Sequence, residues 1–133
     1  MPALDHTIVH ATDRLASARF LAGILGTAEP VELGPFVAVR LGNNVALDFA
    51  EHLIAGHDWI PTHYAFTVTD DEFDAILDRI ESQRLPYWAD PRHTEPGAIN
   101  HLEGGRGVYI HDPDGHNLEF LTRSYSDRFL TNM

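Results

Sequence analysis

The chain repeats itself, and that limits the folds open to it more than any other feature. His6-Thr7-Ile8-Val9 is matched by His63-Tyr64-Ala65-Phe66 at an offset of 57 residues, and Leu47-Asp48-Phe49 by Leu118-Glu119-Phe120 at an offset of 71. A repeat of this size implies two similar modules that bury one another's open faces.

Each module reads as strand, helix, then further strands. In the first, Leu4–Val9 is a short β-branched run, Asp13 suits an N-cap, and Leu15, Ala16, Arg19, Phe20 and Ile24 follow at helical spacing up to a stop at Gly26. Phe36–Leu41 and Val45–Ala50 form a hairpin around Gly42-Asn43-Asn44, residues that tolerate the positive φ of tight turns. After a connection at Glu51–Pro61 the order restarts. Thr62–Val68 is a strand, and Asp70–Gln83 is a helix capped by Asp70 with Phe73, Ile76, Leu77 and Ile80 on one face. A short strand at Pro86–Ala89 and a long loop, Asp90–Gly105, lead to a second hairpin. Its arms are Gly107–His111 and Asn117–Thr122, turned by Asp112-Pro113-Asp114-Gly115. The expectation is an α+β fold of two βαβββ modules in a single domain over 1–133: module 1 near 4–50, a linker near 51–61, module 2 near 62–123, and a tail at 124–133.

Strand alternation then sorts the side chains. Leu118 and Phe120 share one face and Asn117, Glu119 and Leu121 the other; Leu47 and Phe49 oppose Ala46, Asp48 and Ala50. His6 and His63 sit on the first strands of their modules, on the faces turned from the helices, with His10 in parity with His6. Histidines and carboxylates at equivalent repeat positions suit Zn, Mn, Fe or Ni ions. Scattered surface polar residues are the alternative, since spacing does not show convergence.

Composition narrows the partners. The formal charge is −11 and all nine cationic residues are arginine, which argues against nucleic acid, because phosphate-backbone binding needs clustered positive charge. No run approaches the roughly 20 apolar residues of a membrane span, and the first residues lack the basic flank and apolar core of a signal peptide. With no cysteine, thiolate ligands and disulfides are excluded, and a cytoplasmic location is the default.

The opening Leu-Asp-His-Thr-Ile-Val and the closing Gly-Arg-Gly-Val-Tyr-Ile-His-Asp-Pro-Asp-Gly-His-Asn-Leu-Glu-Phe resemble the vicinal-oxygen-chelate superfamily, over residues 4 to 123. It includes glyoxalase I, fosfomycin-resistance thiol transferases, extradiol dioxygenases and bleomycin-resistance proteins. The resemblance implies half-barrel modules forming a cup, a divalent metal held by His6, His63 and Glu119, and chelation of adjacent oxygens of a small-molecule substrate by that ion. The reaction would be of the glyoxalase, thiol-transferase or dioxygenase type, in a protein that commonly dimerises. Asp48 falls near a further acid of glyoxalase I, as a ligand or as an outer-shell or substrate-facing group. Tyr109 falls where the fosfomycin-resistance enzymes carry an active-site tyrosine, and Arg128 where they bind substrate with an arginine. Trp88 and Arg106 are further substrate-binding candidates, and His101 is a candidate general base or an exposed loop histidine. The potassium-gripping basic loop of the fosfomycin enzymes has no counterpart, and lysine is absent. The competing function is a metal-free protein of the bleomycin-resistance type that sequesters a small molecule.

Overall fold

The computed structural model describes residues 1–51 and 59–124. Most of the connection Glu51–Pro61 and the tail from 125 onward, Arg128 included, lie outside the described residues. The chain divides into two compact units, Met1–Pro61 and Thr62–Met133. No helix among the described residues is long and apolar enough to cross a membrane.

The first unit runs β1 (His6–His10), α1 (Arg14–Leu25), β2 (Val31–Leu33), β3 (Phe36–Arg40) and β4 (Ala46–Ala50). Its sheet has the order β1-β4-β3-β2, with β1 parallel to β4 and the other pairs antiparallel. Asp13 caps α1 by accepting from the Ala16 amide, and Gly26 ends it at φ 74°, the left-handed conformation that glycine adopts without penalty. The buried stripe of α1 is Ser17, Ala18, Leu21, Ala22 and Ile24, rather than the Leu15, Ala16, Phe20 set read from the spacing. Three of those five are small, which lets the helix backbone lie close against β3 and β4. Beneath it Val9, Val37, Val39, Leu47 and Phe49 are buried. The strand at Val31–Leu33, to which the sequence reading assigned no residues, is an exposed three-residue edge that completes the expected βαβββ order.

The second unit contains β5 (His63–Thr67), α2 (Asp70–Ser82), β6 (Gly107–His111) and β7 (Asn117–Leu121), with a 3-10 turn at Leu102–Gly104. The sheet order is β5-β7-β6, again with the first and last strands of the module parallel. Helix α2 starts one residue earlier than the repeat offset implies. Thr69, not Asp70, is its N-cap, in a reciprocal capping box with Glu72. Phe73, Ile76 and Ile80 are buried, as are Phe66, Val108, Ile110, Leu118 and Phe120, and the Phe66 and Phe120 rings stack at 5.5 Å.

The repeat extends to hydrogen-bond register. His6 pairs with Ala46 as His63 pairs with Asn117, Ile8 with Asp48 as Ala65 with Glu119, and Ala38 with Asp48 as Tyr109 with Glu119. The hairpin turns match too. Leu41 N bonds Val45 O at 2.8 Å and Asp112 N bonds His116 O at 3.0 Å, with Asn44 and Gly115 at φ 65° and 84°. The expected strand at Pro86–Ala89 shrinks to bridges at Trp88, yet it stands in the place of β2: Trp88 opposes Tyr109 as Val31 opposes Ala38. A proline on one side and the Asp90 turn on the other stop it growing.

Candidate functional site

Residues in register on neighbouring strands project to the same face of a sheet. In the second unit that rule places His63, Asn117 and His111 in one row and Ala65, Glu119 and Tyr109 in the next, all on the face opposite Phe66, Leu118 and Phe120. Glu119 is in the central strand. Its side chain is only 3 % exposed, and Oε1 lies 3.1 Å from Nε2 of His63, whose ring is 46 % exposed. The His63 ring stacks on that of Tyr109 at 6.0 Å, and Tyr109 itself is buried.

This pair suits a divalent cation. An imidazole nitrogen and a carboxylate oxygen that each bond one ion at about 2.1 Å, in tetrahedral to octahedral geometry, stand about 3.0–3.4 Å apart. The observed 3.1 Å falls inside that range. A carboxylate only accepts, so this hydrogen bond puts a proton on Nε2, which a cation bound there would replace. Among the described residues no group of three histidine, aspartate or glutamate side chains forms a complete donor set.

In the first unit His6 and Asp48 occupy the positions equivalent to His63 and Glu119, but they behave differently. His6 Nδ1 bonds Asp5 Oδ2 at 2.7 Å with the ring half exposed. The Asp5 hydrogen bond, opposed by desolvation and assisted by the Asp48 and Asp5 charges, raises the His6 pKa above 6.5. Because Nδ1 donates to a carboxylate, the neutral ring carries its lone pair on Nε2, the orientation that ligating histidines adopt. Asp48, one methylene shorter than Glu119, is half-buried beside Ile8 and Ala38. The His10 ring stacks on Trp59 at 5.9 Å.

The other candidates separate. Trp88 stands on the site face, since its backbone exchanges hydrogen bonds with Tyr109 at 3.0 and 2.9 Å. Arg106 is drawn onto α2: Nη1 donates to Asp74 at 2.6 Å, Nη2 to the Asp70 side chain and carbonyl at 3.1 Å, and the guanidinium lies 4.6 Å above the Phe73 ring. His101 is exposed, just before the 3-10 turn. His116 is buried in the turn, where Nδ1 accepts from Thr62 N at 3.0 Å.

Sequence reasoning placed His93 in the long loop but gave it no role of its own. It stacks flat on Trp88 at 3.9 Å with 6° between planes, and bonds Asn117 Oδ1 through Nε2 at 2.8 Å. The loop around it is irregular but well tied. The Asp90 carboxylate accepts from Thr94 N, Thr94 Oγ1 and Glu95 N, while Asn100 bonds Ala89 O and pairs with Gly107. Only the polar cluster at Asp90–Thr94 and the Asn100 side chain could have signalled this, and both are ordinary loop residues.

Comparison with known proteins identifies the family. Residues 3–120 match the family model of the Glyoxalase/Bleomycin resistance protein/Dioxygenase superfamily. Among solved structures, oxidase ChaP-H1 shares 57 % identity at a TM-score of 0.88, covering 94 % of this chain and 98 % of its own. Oxidase ChaP-H2 shares 54 % identity at a TM-score of 0.86, covering 93 % and 95 %. Glutathione transferase FosA of Serratia marcescens is 26 % identical over 131 residues, 96 % of this chain and 86 % of FosA. With a family match over nearly its whole length and the paired modules that the family's fold requires, the chain belongs to the glyoxalase/bleomycin resistance protein/dioxygenase superfamily.

Proposed function

We propose that this protein is a metal-dependent enzyme of its superfamily that carries out oxidative chemistry on a small molecule with adjacent oxygen atoms. The observation that carries the reading is the buried Glu119 carboxylate 3.1 Å from His63 Nε2 on the polar face of its sheet. His63 and Glu119 supply two donors, and the family resemblance assigns the third to His6, whose bond to Asp5 leaves Nε2 as the lone-pair nitrogen of the neutral ring. Two histidines and one carboxylate, when they hold Fe(II) or a similar divalent ion, leave open positions for substrate oxygens and support Lewis-acid or oxygen chemistry. The oxidative choice over the lyase or transferase alternatives follows the two oxidases, which share more than half of their residues with this chain.

The chain's own residues have defined tasks. Glu119 and His63 bind the ion and, by their burial and stacking, fix its place. The Tyr109 hydroxyl and the Asp48 carboxylate serve as groups that hold or accept a substrate proton, and Trp88 walls the substrate. His101 enters this reading as a general base and Arg128 as a substrate contact, while Arg106 is held on α2. A homodimer in the cytoplasm completes the proposal. Metal analysis of protein purified without chelator, compared with His63→Ala, tests it. The expected result is one tightly held divalent ion per chain in the parent and loss of that ion in the variant. Metal retained at unchanged stoichiometry would overturn the donor set, and a metal-free parent that binds a basic glycopeptide would favour sequestration.

A further inference from the structure

On the site face of the second unit, Asn117 stands in register between His63 on β5 and His111 on β6. Its amide is used at both ends. Oδ1 accepts from His93 Nε2 at 2.8 Å, and Nδ2 donates to the Pro91 carbonyl at 3.3 Å. The residue so held is unusual. His93 is in the left-handed region at φ 58°, which side chains other than glycine seldom adopt and which persists where surrounding contacts impose it. Its ring lies flat on Trp88, and the His111 ring meets it edge-on at 4.4 Å while Nδ1 of His111 bonds Gly115 O. Trp88, in turn, is bonded through its backbone to Tyr109, whose ring stacks on His63. Sheet, loop and rings therefore form one connected wall beside Glu119. The loop's own ties at Asp90 and Asn100 keep its base in place without involving this wall.

We propose that Asn117 is a positioning residue of the metal centre. By clasping Pro91 and His93 it sets Trp88 and His93 as a rigid ring wall next to His63 and Glu119, which fixes the direction from which substrate approaches. This rests on the metal-site reading above. In a Trp59→Phe background Trp88 is the sole tryptophan of a chain that otherwise has two, so its emission reports the wall directly. Saturating Co(II) in that background is expected to quench Trp88, because the ion sits beside the wall. Asn117→Ala should lose that quench and shift the emission to the red, whereas Asn117→Asp, which keeps an oxygen for His93, should restore both. A residue with a merely structural role would lower the melting temperature and leave the quench of the folded protein in place, so an unchanged quench in Asn117→Ala overturns the proposal. If circular dichroism shows that this variant does not fold, His93→Phe replaces it, since it keeps a flat ring and deletes only the bond to Asn117; the same loss supports the clasp and the same persistence sinks it. A background protein that gives no calorimetric heat with Co(II) overturns the metal reading itself and the clasp with it, and that failure is seen before any Asn117 variant is made.

Discussion

Glu119 and His63 illustrate how much one residue pair can owe to strand parity. A carboxylate buried as deeply as Glu119 is costly unless a partner neutralises it, and the period of two places the His63 imidazole on the same face. That part of the site was legible because alternation assigns faces without knowledge of tertiary packing. The Asn117–His93 contact was not, because it joins a strand to an irregular loop 24 residues away, and no periodicity spans that gap. Arg106 shows the same limit: it is a residue of the closing motif and a substrate-binding candidate, while Asp70, Asp74 and Phe73 on α2 hold the guanidinium. His6 holds its proton above the ordinary 6.5 because of Asp5, and a metal must displace that proton. Apparent metal affinity measured by calorimetry should therefore strengthen as pH rises through the raised value, and Asp5→Asn should move this dependence to lower pH. Asp112 has its pKa raised above 3.8, chiefly by burial against the opposing His116 and Asp114 backbone hydrogen bonds. The folded state then binds the proton more tightly than the unfolded one, so this group favours folding below 3.8 and that contribution is lost as pH rises through the folded value. Asp112→Asn keeps the amide acceptor and should remove that slope from urea unfolding curves recorded between acid and neutral pH.

Among the elements, the ends of helices and the turns carry the local code. Asp13 and Gly26 were readable as the limits of α1 because a cap needs a short acceptor and a left-handed stop needs glycine. At α2 two candidate caps stand side by side, and strict application of the repeat offset chooses the wrong one. Thr69 prevails because Glu72 falls three residues later and returns a bond to the Thr69 amide. Thr69→Ala should cost about 1 kcal/mol in chemical denaturation, with Asp70→Ala costing less. The short element at Trp88 was half legible: its position was visible, but only packing shows that Gly97 and Glu95 fold back to pair with Tyr87 and Ala89 and cut it to bridges. Gly107 belongs to the same junction. A Cβ there would meet the Asn100 amide at 2.8 Å, so Gly107→Ala should release Asn100 from Ala89 and raise hydrogen exchange at the 100–107 pairing relative to the centre of β7.

For the molecule as a whole, sequence repeat and family match describe the same object: two modules of one design over residues 3–120. If the donors assigned above hold a metal, its binding is linked to folding. At a free metal concentration about 100 times Kd, mass action adds about 2.7 kcal/mol of stability. The melting temperature should rise accordingly in the parent and stay unchanged in His63→Ala, which differential scanning calorimetry can read. The strand orders carry a different consequence, one of timing. Both sheets join their first-made strand to their last-made one, and in the second unit that last strand, β7, is the middle of the sheet. While a ribosome is still adding residues up to Leu121, β5 and β6 have no common neighbour to zip onto. The half of the protein bearing Glu119 thus cannot begin to close until β7 has been synthesised, which places it among the long-range topologies that mature slowly.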